Sequence, residues 1–425
     1  MEQVSLSWFI YIIMLVMIAG TKYHKSVIAM SAGVLFLTSR YLNIADLSDF
    51  SILNLDFVVT FVAMSIFASF MRISGIFQFL VLKAVKKSEW NLKKLIRNSS
   101  FVMLGLAAFF CDRVAVVSIF PIIAFIFDAL NVEFNPALLG FLNAAGIGGT
   151  LLSISGAEVI LIGSAAKIDF LYYFINVTPA IFVAFLISIV IINKIHVKYE
   201  IDTSSVSVVK FKEEMSIRDN SLFSKLILII VFTAVMLFLS SIIGISNSVI
   251  ILSGATLLFL MIDIAPDKIL SDVKLNLFFY IFGLHIVSAA FFKYHIYENV
   301  AAFIFSYLSF NPYLICILIL ISGLLFSIIF GRLPAAFFFI PVISCFSSVS
   351  KDLNIMPFYV SFIFSITFSR APTMLREIPK VLKNTHIDEK KVWTHFLEFI
   401  KDSILIYILS IFWFAVYIYL RYYYF

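Results

Sequence analysis

The sequence predicts an all-α polytopic membrane protein, with about ten transmembrane helices and two re-entrant hairpins arranged as two inverted repeats. Three observations predict it. Hydrophobic residues make up 62% of the 425 and charged residues 13%, about half the ~25% usual in soluble domains. Apolar runs longer than the roughly 18 residues that mark a membrane-spanning helix recur along the whole chain. Several of those runs are interrupted by glycines, hydroxyls and charges, and non-helical backbone at such depth is tolerated only against protein or a water-filled cavity.

The first run, MEQVSLSWFIYIIMLVMIAGTKYHK, has an acidic start and no small-x-small cleavage site, so a span near 6–20 is expected rather than a signal peptide. Further spans are expected near 26–42, 55–72, 136–166, 170–193, 222–239, 243–262, 275–293, 353–375 and 401–423. The segment IFQFLVLKAVKK from Ile76 is apolar with a basic end, the pattern of an interfacial helix. Two stretches, 99–130 and 312–346, each read as two half-helices around a polar tip, FFCDRVAV and IIFGRLPA. These are the expected re-entrant hairpins.

Charge orients the spans. With hairpins at those two places, the loops 21–25, 83–98, 194–221, 263–274 and 376–400 fall on one side and hold 20 of the 31 Lys and Arg. The opposite loops at 43–55 and 240–243 hold none, so the basic side is cytoplasmic. The polar segment 196–221 then reads as a cytoplasmic linker between a first repeat, 1–195, and a second, 222–425. LDFVVTFVAMSIFASFMR from Leu55 resembles LNLFFYIFGLHIVSAAFFK from Leu275, Arg113 finds Arg332 at an offset of 219, and Pro121 finds Pro341 at 220. Each half counts five spans and one hairpin. Five is odd, so the second half lies inverted, as in many secondary transporters.

The stretch FLNAAGIGGTLLSISGAEVILIGSAAKIDF, 141–170, reads as a broken helix that lines a solute path. Gly146, Gly148 and Gly149 weaken the helix and allow close approach. Thr150, Ser153 and Ser155 supply oxygens, and Glu158 a charge. Close helix packing through small residues is the competing reading. Asp112 and Arg113 are costly at depth, at least about 2.5 kcal/mol each on insertion scales, and need partners. Arg370, in SITFSRAP at an offset of 220 from Thr150, is assigned to a second broken helix. Arg113, Arg332 and Arg370 converging would make a positive site; a structural ion-pair network is the alternative. His285 lies inside a span, where it suits either a proton relay or a hydrogen bond to a neighbouring helix.

Other function classes are set aside. Cys111, Cys316 and Cys345 lie in apolar runs without metal-ligand spacing, so buried thiols are expected, with no metal and no cofactor. The formal charge of +6 comes from basic loops between spans and is no nucleic-acid signature. An intramembrane aspartyl protease needs two neighbouring acids, and Asp112 and Glu158 have neither the expected setting.

The chain resembles the ion-transporter superfamily, in particular its arsenite-permease and NhaD-type sodium/proton antiporter branch, related to citrate and dicarboxylate transporters. MSIFASFMRISGIFQFLVLKAVKK (64–87), FFCDRVAVVSIFPII (109–123) and NAAGIGGTLLSISGAEVILIGSAAKIDFLYYFINVTP (143–179) carry the resemblance, which runs over nearly the whole chain and is clearest for 55–190. It implies an inverted-repeat fold with two hairpins, and a homodimer is common among relatives; the default location is a prokaryotic inner membrane, crossed several times.

The departures bear on mechanism. Asp112 matches the family's hairpin acid and Gly148, Gly149 and Thr150 its glycine-rich motif, but Arg113 and Gly146 stand where asparagines are usual. Ser155 to Val159 replaces a glycine-aspartate-proline-proline-asparagine run, and Gly331-Arg332 an acidic pair. Relatives hold sodium with those asparagines and loop carbonyls, and a guanidinium there repels a cation. The expectation is a sodium-independent, proton-coupled transporter of an inorganic or carboxylate anion. Arg113 and Arg332 take the place of sodium, and Arg370 with Ser153, Ser155, Ser365, Thr367 and Ser369 holds the anion. Asp112, Glu158 or His285 carries the proton. Sodium or arsenite antiport, and a non-transporting scaffold, are the rival readings.

Overall fold

In hydrocarbon each backbone N–H and C=O must be satisfied within its own segment, so apolar runs of this length fold as helices. The structure, a computed structural model, describes residues 2–50, 52–89, 91–110, 112–129, 135–197, 220–271, 275–308, 311–349, 353–375 and 396–424. Among them every regular element is helical.

The first half comprises α1 (Glu2–Gly20), α2 (Lys25–Thr38), the short α3 (Ile44–Asp49), α4 (Leu55–Ser74), α5 (Ile76–Lys86), α6 (Leu92–Phe110), α7 (Asp112–Ala129), α8 (Asn135–Leu151), α9 (Ala157–Ala165), α10 (Phe170–Asn176) and α11 (Thr178–Ile191). The second comprises α12 (Asn220–Ile243), α13 (Asn247–Met261), the short α14 (Pro266–Leu270), α15 (Leu275–Lys293), α16 (Ile296–Tyr307), α17 (Pro312–Phe330), α18 (Arg332–Val349), α19 (Met356–Leu375) and α20 (Phe396–Tyr419). The linker expected at 196–221 lies almost entirely outside the described residues.

Local chemistry sets several of these boundaries. Asn54 caps α4 by accepting from the Phe57 amide at 2.9 Å, and Asn311 accepts from the amides of Tyr313 and Leu314 at the start of α17, each satisfying donors that a helix start leaves open. Gly75, at φ 80°, turns the chain from α4 into α5, whose buried face (Ile76, Phe77, Val81, Ala84, Val85) opposes Lys83 and Lys86. Gly331, at φ 101° and ψ 162°, separates α17 from α18. Only glycine holds that backbone without strain.

The two halves repeat in register. Leu55 and Leu275, Ile76 and Ile296, Leu92 and Pro312, Asp112 and Arg332 open corresponding helices at a constant spacing of 220. Packing partners repeat with them: α6 lies against α8 as α17 lies against α19, α5 against α7 as α16 against α18, and α4 against α13 as α15 against α2. Pro121 in α7 and Pro341 in α18 occupy matching interior positions.

Among the described residues seven helices are long and apolar enough to cross a membrane: 3–20, 55–74, 178–195, 221–243, 275–293, 312–330 and 399–424, with shorter apolar ones at 25–38, 247–261 and 332–348. The chain is an integral, multi-pass membrane protein. The structure differs from the sequence expectations in five places. The run 136–166 divides into α8 and α9, and 170–193 into α10 and α11 at Val177, just before Pro179. The span expected at 222–239 continues to Ile243, and Gly244 at φ 74° makes the turn instead. The hairpin arm α17, free of charged residues, qualifies by itself as a crossing helix. The second broken helix expected around Arg370 is continuous from Met356 to Leu375, with Pro372 accommodated inside it.

Candidate functional site

The site forms where the starts of α7 and α18 meet the break between α8 and α9. Asp112 is the first residue of α7 and Arg332 the first of α18. A carboxylate suits the positive end of a helix dipole, and a guanidinium there does not. Arg332 is accordingly tied down: Nη1 donates to Asp112 Oδ2 at 3.2 Å, and Nη2 to the carbonyls of Gly146 on α8 and Thr367 on α19 at 3.1 and 3.4 Å. Its side chain is fully shielded from solvent.

Arg370 approaches the same carboxylate from α19. Its Nη2 donates to Asp112 Oδ1 at 2.9 Å and its Nε lies 2.8 Å from Oδ2, so the guanidinium edge faces both oxygens. Nη1 lies 3.9 Å from Glu158 Oε1, in the first turn of α9. Asp112 Oδ1 also accepts from the Arg113 amide at 2.7 Å, and the half-buried Arg113 side chain adds a third positive charge within electrostatic reach of Asp112. Of the arginines expected to converge, Arg332 and Arg370 meet on Asp112 and Arg113 lies within electrostatic reach of it, with Glu158 beside Arg370. The register differs from expectation, because the helix starts pair Arg332 with Asp112 rather than with Arg113.

Glycines let the elements come this close. A Cβ at Gly149 would stand 2.8 Å from Asp112 Oδ2, and one at Gly148 would stand 2.6 Å from the Leu104 carbonyl and 2.7 Å from Ala107 Cβ. Both lie inside α8, which stays helical to Leu151. Gly146, Gly148 and Gly149 were expected to weaken the helix there; the helical hydrogen bonding persists, and close packing of α8 against α6 and α7 is what Gly148 and Gly149 provide.

The break proper spans 152–156, and the carbonyls of 150–152, where α8 ends, find donors. Tyr173 Oη donates to the Thr150 carbonyl at 2.5 Å, Thr178 Oγ1 to that of Leu151 at 2.7 Å, and Ser155 Oγ to that of Leu152 at 2.8 Å. Ser155, Ser365, Thr367 and Ser369 were expected to face an anion. Instead their hydroxyls donate to carbonyls three or four residues back along the chain, and Thr150 Oγ1 meets Thr367 Oγ1 at 3.1 Å. The buried Ser153 Oγ has no hydrogen-bond partner among the described residues. The guanidinium groups, not the hydroxyls, are therefore the converging donors.

His285 is buried on α15 and stacks on Phe50 with ring centroids 5.3 Å apart, with Phe337 edge-on at 6.5 Å. It is surrounded by aromatic rings rather than by the charged cluster. Tyr173 and Thr178 were missed from the sequence, since a hydroxyl that closes a helix break from another element leaves no local pattern. Among the described residues no three His, Cys, Asp or Glu side chains are placed to hold a metal ion. Cys316 is buried and Cys345 half-buried, both free; Cys111 lies outside the described residues.

The family profile described as citrate transporter matches residues 12–365. A 46 kDa membrane protein of Mycobacterium leprae is 22% identical over 339 residues, 79% of each chain. An uncharacterized transporter of Mycobacterium tuberculosis is 22% identical over 289 residues, 67% of each chain. Among solved structures, MtrF of Neisseria gonorrhoeae, described within a class of antimetabolite efflux pumps, superposes with a TM-score of 0.62 over 99% of this chain and 94% of its own, at 12% identity. That last likeness is one of fold.

Proposed function

Because the chain belongs to the citrate transporter family, we propose that it is a secondary active transporter of an inorganic or carboxylate anion, coupled to protons and independent of sodium. One observation carries this reading: the Arg332 guanidinium lies between the Gly146 and Thr367 carbonyls and the Asp112 carboxylate, the kind of oxygen cage that would otherwise suit a cation. At an effective dielectric of about 20, a second unit charge about 4 Å away would be repelled by about 4 kcal/mol. The constant 220-residue register and repeated packing partners support two halves, 1–195 and 222–425, lying inverted about the site. Rocking of one half against the other would then expose the site to each side in turn. Arginine forks favour carboxylates and oxyanions over neutral or cationic solutes. Sodium/proton or arsenite/proton antiport, the narrower family resemblance, places a cation or neutral hydroxide where Arg332 now sits.

The test uses proteoliposomes with a trapped pH-sensitive dye, to which sodium, arsenite and a panel of inorganic and carboxylate anions are added separately. Proton flux is expected with an anion and not with sodium or arsenite, and Arg332→Asn and Arg113→Asn should weaken it. Flux driven by sodium or arsenite would overturn the reading and leave the arginines structural.

A further inference from the structure

Arg370 grips Asp112 as it would grip a solute. Its Nη2 donates to one oxygen of the carboxylate at 2.9 Å and its Nε lies 2.8 Å from the other, an ion pair in which one edge of the guanidinium faces one carboxylate. The two arginines on Asp112 differ in access: the Arg332 side chain is 0% exposed and that of Arg370 14%. Arg332 is also fixed by two carbonyls, whereas Arg370 has a second acid, Glu158, within 3.9 Å. Of these two, Arg370 is the one that solvent reaches, and the edge it would offer a solute is already on Asp112.

We propose that Asp112 is a resident stand-in for the carboxylate of the transported solute, displaced from Arg370 when a carboxylate solute binds and neutralised at that moment by a proton. This rests on the anion-transport reading above and names its substrate class and coupling group. The charges balance: Arg370 exchanges one carboxylate for another, and Asp112, having lost that cation, takes a proton on a carboxyl oxygen. For the one carboxylate that Arg370 takes up, the site neither gains nor loses net charge; each further carboxylate of a di- or tricarboxylate adds its own. Binding an anion without the proton would bury one more negative charge, and an uncompensated buried charge is costly. Loss of a neighbouring opposite charge disfavours the ionised carboxylate.

The surroundings of Asp112 leave it as the acid that answers to Arg370. Arg332 faces it from α18, Arg370 from α19 and Arg113 from its own helix. Glu158 of α9 lies behind Arg370, Tyr173 of α10 near Arg332, and Tyr280 of α15 near Glu158 and Arg113. Of the helices packed on α7, α8 carries no titratable side chain. α5 and α6 carry Lys83, Lys86, Lys93, Lys94 and Arg97 towards the turn between them. Phe77 and Phe110, whose rings meet edge-on, lie at their other ends, Phe110 two residues before Asp112 in sequence.

The experiment is proton uptake by the purified protein, in weakly buffered detergent solution, on addition of citrate or succinate, with sulfate and phosphate as tetrahedral controls. Wild type is expected to take up a proton with each carboxylate bound. Asp112→Asn is expected to bind carboxylate on the order of tenfold more tightly, since the internal competitor is gone, with no proton uptake and no dependence of affinity on pH. Infrared difference spectra of the wild type answer the same question without a variant: a protonated-carboxyl band should appear on adding citrate. Carboxylate binding without that band, or with full proton uptake in Asp112→Asn, would overturn the proposal and leave anion transport standing. Folded wild type that binds none of the four anions would overturn both.

Discussion

Asp112 and Arg332 stand 220 residues apart, each opens the second arm of a hairpin, and their side chains meet at 3.2 Å. Equivalent positions of the two halves thus carry opposite charges and neutralise one another. The acid is placed well at its helix start and the arginine poorly, so the pair depends on Asp112 and on the Gly146 and Thr367 carbonyls. A repeat that had kept an acid at both positions would leave a cation-binding cage; this exchange fills it with a fixed cation.

The close approach of α8 to α6 predicts a sharp difference between two glycines. Gly148→Ala would place its Cβ 2.6 Å from the Leu104 carbonyl and 2.7 Å from Ala107 Cβ, neither of which is the end of a flexible side chain. It should destabilise by about 1–3 kcal/mol. Gly163→Ala in α9 meets nothing within 4 Å and should be neutral or stabilising by up to about 1 kcal/mol through helix propensity. Thermal midpoints of both variants in one detergent decide it; equal shifts would mean that α8 and α6 are not packed this tightly.

The carbonyls of the α8–α9 break predict a second effect. Tyr173→Phe keeps the buried ring and removes only the donor to the Thr150 carbonyl. An unsatisfied buried carbonyl costs about 1–3 kcal/mol, so a loss of that size is expected in equilibrium unfolding. Tyr172→Phe, half-buried with its hydroxyl 3.2 Å from that of Tyr422, should lose clearly less. A Tyr173→Phe protein as stable as wild type would show that water or another donor closes the break.

Much of this architecture was legible in the sequence because bilayer length acts over whole segments. The starts of α7 and α18 were visible as DR and GR in apolar surroundings, and the 220-residue register as a repeated pattern. Asp112, Arg332 and Arg370 stood out because buried charge is expensive enough to demand an explanation. The hydroxyls were read less well. Ser365, Thr367 and Ser369 look like ligands in a list of polar residues, yet each bonds back to its own helix, a local alternative that sequence cannot weigh against a solute. Glycines mislead in the same way, since GIGGT weakens a free helix but suits one pressed against neighbours on both sides. The pairing of Arg332 with Asp112 rather than Arg113 turned on one residue of register, fixed by where α18 begins after Gly331.

Outside the spans, the link between α3 and the end of α15 predicts a dependence of stability on pH. Lys293 Nζ donates to Asp46 Oδ2 at 2.7 Å, and the Asn43 amide donates to the same oxygen. The bond from Lys293, followed by that from Asn43, holds the Asp46 carboxyl below its usual value. A carboxyl depressed in the folded state contributes stability that is fully present above its unfolded value, about 3.9, and is lost as pH falls through the lower folded value. Thermal midpoints from about pH 6 to about pH 3 should therefore fall less steeply at the acid end for Asp46→Asn than for wild type. The site is exposed, so molar salt should shrink the difference between the two curves. Curves that remain parallel down to the acid limit would mean that Lys293 and Asp46 do not pair in the membrane-embedded protein.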